Sequence, residues 1–333
     1  MKVLVTGAAG FIGSNLAERL AKSSIEVLGV DNFNNYYSPQ LKKRRVKEFF
    51  ESNNIRFKHL DLGNLKLTQS LVKSFNPDSI IHLAARPGVR TPPENFHHYI
   101  QNNLVAYSNI LQVAVLNEIQ NFMYASSSSV YGNSTSIRYS EQSSLNIPVS
   151  LYGATKLSNE ILAPAYISGS NTKARGMRFF TVYGPWGRPD MAYFRIIDSA
   201  LNGSNFIKFG EGKIKRDFTF IDDVSLIIEK LLFQLINCDP GFSDVVNIGG
   251  GNPYSLNDLM DVISLQTKSK IPFSEVPINL NDTNYTCADT NKLIELIGVK
   301  PQIELKEGIE KTIYWAKQPW VSNHLLKWIN STI

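Results

Sequence analysis

The 333-residue sequence predicts an α/β protein: a doubly wound parallel sheet with helices on both faces, joined to a smaller α/β lobe in the C-terminal half. Three observations lead there. Short apolar runs alternate with helical patterns through the first half. The first run meets a glycine-rich turn and then a helical segment. The second half is more irregular yet has no low-complexity linker, which predicts two packed lobes with the chain crossing between them more than once.

Val3–Thr6 reads as a strand, Ser14–Lys22 as a helix and Glu26–Val30 as a second strand. Ile55–Leu60 follows, then a helix over Leu65–Phe75 and an apolar strand over Ser79–Leu83. Gln101–Asn117 and Leu151–Tyr166 carry helical spacing on either side of a strand at Phe122–Ala125. In the second half Arg178–Val182 reads as a strand, Gly184–Asp190 as an ordered Gly/Pro loop and Asp222–Gln234 as a helix. Val245–Ile248 ends in Gly249-Gly250-Gly251, and helices are expected near Leu256–Thr267 and Gly308–Ala316. The division expected is 1–177 for a dinucleotide, with 218–250 returning to it, and 178–333 mainly for a second substrate.

Hydrophobic residues make up 43% and charged residues 19%, and a chain of this length buries a large core without staples. Its two cysteines, Cys238 and Cys287, form no framework, no run of 18 apolar residues occurs, and a strand beginning at Lys2 leaves no room for a leader. A reduced, cytoplasmic compartment and no membrane partner are expected. The net charge of +5 suits nucleic acid or small phosphates equally. Its densest cluster, Lys42, Lys43, Arg44, Arg45 and Lys47, is read as a solvated helix face, so no nucleic-acid partner is expected. The five histidines show no zinc-like spacing, and no metal is expected.

Gly7-Ala8-Ala9-Gly10-Phe11-Ile12-Gly13 joins the first strand to the first helix. Glycines there let the backbone turn tightly and approach a pyrophosphate, which the helix N-terminus attracts with free N–H groups. Asp31 ends the second strand, where a carboxylate accepts from ribose hydroxyls and repels a 2′-phosphate; this selects NAD over NADP. Tyr152 and Lys156 share one helix face, and of the 14 tyrosines only Tyr152 has Lys four residues on. An adjacent ammonium lowers a phenol's pKa, and a phenolate is a competent base toward a sugar hydroxyl. Ser126–Ser129 ends the Phe122–Ala125 strand, and hydroxyls at the carboxyl end of such a strand point into the ligand crevice.

The Gly-x-x-Gly-x-x-Gly spacing and the Tyr152/Lys156 pair resemble the extended branch of the short-chain dehydrogenase/reductase superfamily over nearly the whole chain, which implies a Rossmann-type sheet. The resemblance implies that Asn32, Asp61, Leu62, Leu83, Ala84, Ala85 and Asn103 join Gly7, Gly10, Phe11, Ile12, Gly13, Asp31, Tyr152 and Lys156 around NAD. It makes Ser127 the catalytic serine and implies a homodimer through Gln101–Asn117 and Leu151–Tyr166.

Three further stretches, Arg178–Ala192, Lys215–Asp223 and Cys287–Thr290, look like those of the bacterial and plant UDP-glucuronate 4-epimerases. By that resemblance Arg216 grips the diphosphate of a UDP-sugar, Phe209 meets uracil, Thr181 lies near diphosphate and sugar, and Arg90, Ser128 and Ser129 contact substrate. Arg216 has an alternative, an ion pair with Asp217. Arg188 is expected to fork a sugar carboxylate, or else to cap its loop by bonding backbone carbonyls. Where the family carries Gln-Ala this chain has Arg86-Pro87, an added charge beside the expected sugar pocket, and Thr91-Pro92-Pro93 stiffens a loop over the expected site. Other 4-epimerase substrates (UDP-glucose or galactose, UDP-N-acetylglucosamine and its uronic acid) stay open, with UDP-glucuronate decarboxylation or a non-catalytic NAD-binding regulator behind them. A 4,6-dehydratase would need an acidic pair after the serines, which is absent.

Overall fold

The computed structural model describes residues 1–90, 93–134, 136–143, 145–277 and 285–330, without the side chains of 93, 325–327 and 330. Thr91 and Pro92 therefore lie outside the described residues, as does the side chain of Pro93.

Seven strands form one parallel sheet: β1 (Lys2–Thr6), β2 (Glu26–Asp31), β3 (Arg56–His59), β4 (Ser79–His82), β5 (Asn121–Ser127), β6 (Lys173–Phe179) and, after three strands of the other lobe, β10 (Ser243–Ile248). Their order is β10-β6-β5-β4-β1-β2-β3, all neighbours parallel. The strand order reverses at β1, which opens a crevice over the carboxyl ends of β1 and β4. Helices α1 (Phe11–Lys22), α2 (Pro39–Arg45), α3 (Leu65–Phe75), α4 (Phe96–Tyr99), α5 (Ala106–Leu116) and α6 (Leu151–Ile167) connect the strands. Val3, Leu4, Val5, Ile80, Ile81, Phe122 and Met123 are fully buried, which is why these strands read as continuous apolar runs. The doubly wound α/β expectation is met.

The smaller lobe holds β7 (Thr181–Tyr183), β8 (Phe206–Phe209), β9 (Lys215–Phe220), β11 (Pro253–Ser255) and β12 (Phe273–Val276), in sheets ordered β11-β9-β7 and β12-β8. Helices α7 (Ala192–Asn202), α9 (Leu256–Thr267), α10 (Asn291–Ile297), α11 (Leu305–Ala316) and α12 (Pro319–Asn330) complete the described chain. Between β9 and β10, α8 (Ile221–Ile236) lies against α1, where Arg19 pairs with Glu229 at 2.6 Å. Residues 218–220 end β9 in the small sheet, so the chain re-enters the large layer at α8.

Two expected boundaries move. Helix α1 starts at Phe11 rather than Ser14, because extended Gly10 is its N-cap and Gly13 falls in its first turn. The expected Arg178–Val182 strand splits at Phe180 into β6 of the large sheet and β7 of the small one. Its amide donates to Ile248 O at 3.0 Å where the chain changes sheets. No Gly or Pro marks this corner, so periodicity could not locate it.

The lobes are bolted by Asp217, fully buried on β9, which accepts from the backbone N–H groups of Gly250 (2.8 Å), Gly251 (2.9 Å) and Ala288 (2.8 Å). Within the large lobe, the buried pair Arg178–Glu160 ties β6 to α6 at 2.7 Å. Glu160 also accepts from Ser126 Oγ at 2.5 Å, and Arg178 reaches the Tyr131 hydroxyl at 2.9 Å.

Candidate active site

A cavity of about 710 Å³ runs over the carboxyl ends of the large sheet and under the smaller lobe. On the β1–β2–β3 side and beside β4 it is lined by Gly7, Gly10, Phe11, Ile12, Gly13, Asp31, Asn32, Asp61, Leu62, Leu83, Ala84 and Ala85. Ser127, Ser128, Ser129, Tyr152 and Lys156 line it at β5 and α6. Arg90, Thr181, Arg188, Phe209 and Arg216 complete it.

The glycine turn fits a dinucleotide by exclusion of side chains. A Cβ on Gly13 would stand 2.3 Å from Gly7 O, and one on Gly7, at φ +67, 2.6 Å from Ala84 N. No side chain caps α1, so its first turn offers N–H groups to an anion. Gly13→Ala is expected to cost at least tenfold in dinucleotide affinity with a folded chain retained; calorimetric titration of NAD checks it.

Asp31 bonds the turn itself: its oxygens accept from Ala9 N (3.2 Å) and Phe33 N (2.8 Å). Asn32 bonds Asp61 at 3.0 Å. Beside them Asn34, Tyr36, Tyr37 and Lys42 also line the cavity, and sequence reasoning did not place them there. Their signal was position: all but Lys42 follow β2 directly, where a crevice strand ends. Lys42 corrects the reading of the basic cluster as a solvated face. It and Arg45 are buried, because α2 turns that side toward the cavity and the glycine turn. The Lys42 ammonium bonds Asn34 O and Oδ1 at 2.7 and 2.9 Å, and burial pulls its pKa down to about 8.

Ser150 caps α6 by accepting from Gly153 N at 3.1 Å, which sets Tyr152 and Lys156 on successive turns. Lys156 donates to Ala125 O at 2.9 Å, and burial pulls its ammonium down to about 7. Burial pushes the Tyr152 phenol up; the Arg188 guanidinium and a hydrogen bond with Ser127 pull it back. The expected cation was Lys156, but its ammonium sits 5.9 Å from the Tyr152 ring centroid, turned to Ala125, and Arg188 takes that part. Ser127 Oγ also bonds Ser129 N and Oγ, both at 3.2 Å. The trio can exchange a proton with a sugar hydroxyl.

Three expected site residues differ from expectation. Asn103 is fully buried behind the cavity wall, clasping Arg86 N (2.7 Å), Arg86 O (3.1 Å) and Thr155 Oγ1 (3.1 Å). It positions the wall rather than lining it. Arg86 is buried behind that wall, its guanidinium over the rings of Tyr36 (5.2 Å) and Tyr99 (6.0 Å). Arg188 lines the cavity, but its fork holds Asp190, with Nε–Oδ1 at 3.0 Å and Nη2–Oδ2 at 2.5 Å. Tyr36 donates to the same carboxylate at 3.3 Å. Arg216 alternates with Asp217 on β9, and the Asp217 oxygens belong to the backbone amides named above, so that carboxylate bolts the lobes. Arg90 stacks on Phe209, 4.3 Å from its centroid. Among the described residues no three His, Cys, Asp or Glu side chains converge on a metal site, and no helix is long and apolar enough to cross a membrane.

A model of the NAD dependent epimerase/dehydratase family matches residues 3–249. Protein CapI of Staphylococcus aureus is 38% identical over 328 residues, covering 95% of this chain and 98% of that one. UDP-glucuronate 4-epimerase 4 of Arabidopsis thaliana is 36% identical over 329 residues, covering 94% and 74%. The crystal structure of UDP-glucuronic acid 4-epimerase from Bacillus cereus with UDP-glucuronic acid and NAD is 34% identical, with a TM-score of 0.89 over 96% of this chain and 99% of that one.

Proposed function

Because the chain belongs to the NAD dependent epimerase/dehydratase family, we propose that it is an NAD-dependent isomerase that inverts C4 of UDP-glucuronate to UDP-galacturonate through a transient 4-keto sugar. The observation that carries this reading is one cavity holding the glycine cradle, the Tyr152–Ser127 pair with Lys156, and Arg188. Its relatives named UDP-glucuronate 4-epimerases support the choice of sugar.

Residues 1–177 with 221–250 would hold NAD: the glycine turn its pyrophosphate, Asp31 and Asn32 the adenosine ribose, Asp61 and Leu62 the adenine side, and Lys156 the nicotinamide ribose. Leu83, Ala84 and Ala85 would pack along it, and Asn103 would fix their loop. The remainder of 178–333 would hold the UDP-sugar, with Arg216 on diphosphate, Phe209 on uracil, and Thr181, Ser128, Ser129 and Arg90 on the sugar side. Bound NAD supplies the oxidation of C4 and its later reduction, so no external oxidant is consumed. Tyr152 takes the proton of the 4-hydroxyl and returns it, with Ser127 hydrogen-bonded to both. The 4-keto sugar turns in the site between the two steps. We infer a homodimer through the faces that leave Ile100, Leu116 and Ile161 exposed.

The acid sugar carries a hazard. Its carboxylate is β to the transient ketone, and CO₂ is lost when the C–CO₂ bond aligns with the carbonyl π system. Arg188 and the serine and threonine hydroxyls hold that carboxylate out of alignment; with Asp190 on the Nε–Nη2 edge, the Nη1–Nη2 edge is the one that would meet the sugar. A second reading, a neutral UDP-hexose as substrate, draws on that same Asp190 contact, which already engages the Nε–Nη2 edge of the guanidinium. Proton NMR of the protein with UDP-glucuronic acid decides. UDP-galacturonic acid is expected from the wild type and UDP-pentose from Arg188→Ala, with turnover lowered roughly tenfold or more, as for a lost charged contact. No conversion of UDP-glucuronic acid beside conversion of UDP-glucose selects the second reading.

A further inference from the structure

Arg45 is fully buried, and no ion pair holds it among the described residues. Burying a guanidinium without a carboxylate is costly unless every donor is used. Here every donor is. Nε and Nη2 both donate to Trp186 O, at 2.9 and 2.7 Å, and Nη2 also to Gly187 O at 2.9 Å. Nη1 donates to Ala9 O at 3.1 Å and to the Tyr37 hydroxyl at 2.6 Å. Five N–H groups thus join three segments: the glycine turn, the stretch after β2, and the loop 184–190.

The loop end of this strap is strained. Trp186 sits at φ +63, a left-handed conformation that a bulky residue adopts only when its surroundings impose it. That conformation delivers its carbonyl to Arg45. Its ring is held by Phe49, Trp315 and Trp320, at 5.5, 5.5 and 4.7 Å between centroids. Arg188, two residues on, lines the cavity. At the other end Ala9 lies between Gly7 and Gly10, both cavity residues, and its amide bonds Asp31.

We propose that Arg45 is a positioning residue that straps the sugar-side loop 184–190 to the dinucleotide turn and couples the two binding events. The inference rests on the reading of the cavity as a joint NAD and UDP-sugar site. A ligand that orders the turn then orders Arg188, and linkage makes the effect mutual. A side chain that only filled space would leave the two affinities uncoupled.

The test measures the NAD dissociation constant with and without saturating UDP-glucuronic acid, by fluorescence on protein stripped of NAD, using a variant also carrying Tyr152→Phe to stop turnover. In the Arg45-intact protein the sugar nucleotide is expected to tighten NAD binding by about fivefold or more, a common coupling strength. In Arg45→Met the ratio is expected to fall to one while each ligand still binds, and Arg45→Lys, which keeps the charge with fewer directed donors, to give an intermediate ratio. If Arg45→Met does not fold, Arg45→Lys carries the comparison. An unchanged ratio in the variants, or a ratio of one in the Arg45-intact protein with both ligands bound, overturns the strap and leaves the functional reading standing. Failure of the Arg45-intact protein to bind NAD at all overturns both.

Discussion

Tyr152→Phe is expected to keep its fold and its NAD and to lose turnover by roughly 10²–10⁴-fold, the usual worth of a positioned acid–base group. The change removes one oxygen from a half-buried ring in the first turn of α6, whose cap at Ser150 is untouched. The rate falls because the phenol is the cavity group that takes the proton of the 4-hydroxyl and returns it. Ser127 is a relay, and Lys156 is turned to Ala125. The phenol's pKa is set by a contest: burial raises it, while Arg188 and Ser127 lower it. A base works deprotonated, so activity rises with pH through this pKa. Ser127→Ala should therefore move the acid limb of the kcat profile to higher pH as well as lowering its plateau. An unchanged rate for Tyr152→Phe, measured by NMR of product, would remove Tyr152 from the chemistry.

Lys156→Met is expected to lower turnover and to raise stability. The Lys156 side chain is about 1% exposed and its ammonium is pushed down to about 7 by burial. In the unfolded chain a lysine titrates near ~10.4. Between these values the unfolded chain binds more protons than the folded one, so wild-type stability rises with pH through that window. At and below about pH 7 the folded protein bears the full cost of an enclosed ammonium. Methionine removes that cost and loses one hydrogen bond to Ala125 O, worth roughly 1 kcal/mol. On protein stripped of NAD, Tm of the variant should exceed that of the wild type by several degrees at pH 6, with the difference shrinking toward pH 10. Turnover should drop by about 10²–10³-fold, as when one preorganised donor is lost. A variant less stable than the wild type at pH 6 would mean that the ammonium is well solvated or paired in the folded protein.

The large sheet was legible because its inner strands are buried on both faces and its glycine turn has a stated chemical purpose. The glycines excluded side chains where the turn packs on Ala84, and Tyr152 with Lys156 had helical spacing that a cap at Ser150 realises. The small lobe was less so. Its strands β8, β11 and β12 are three or four residues long, and β7 comes after β6 with a single residue between them and no breaker. Side-chain partners were beyond reach where sequence neighbours compete with ligands: Asp190 claims Arg188 from two residues away, and Asn103 turns to Arg86 instead of the cavity. The basic run 42–47 shows the limit of charge counting. Two of its members face inward, and Arg45 is held by backbone carbonyls from residues 9, 186 and 187, which leave no trace in composition.

The most direct test of C4 inversion is to supply UDP-glucuronic acid bearing deuterium at C4, in ordinary water with no added reductant, and to read the product by NMR and mass spectrometry. Oxidation and reduction at one carbon within one cavity predict UDP-galacturonic acid that keeps its deuterium at C4. Product that has exchanged C4 deuterium for solvent hydrogen, or UDP-pentose as the sole product of the wild type, would contradict it.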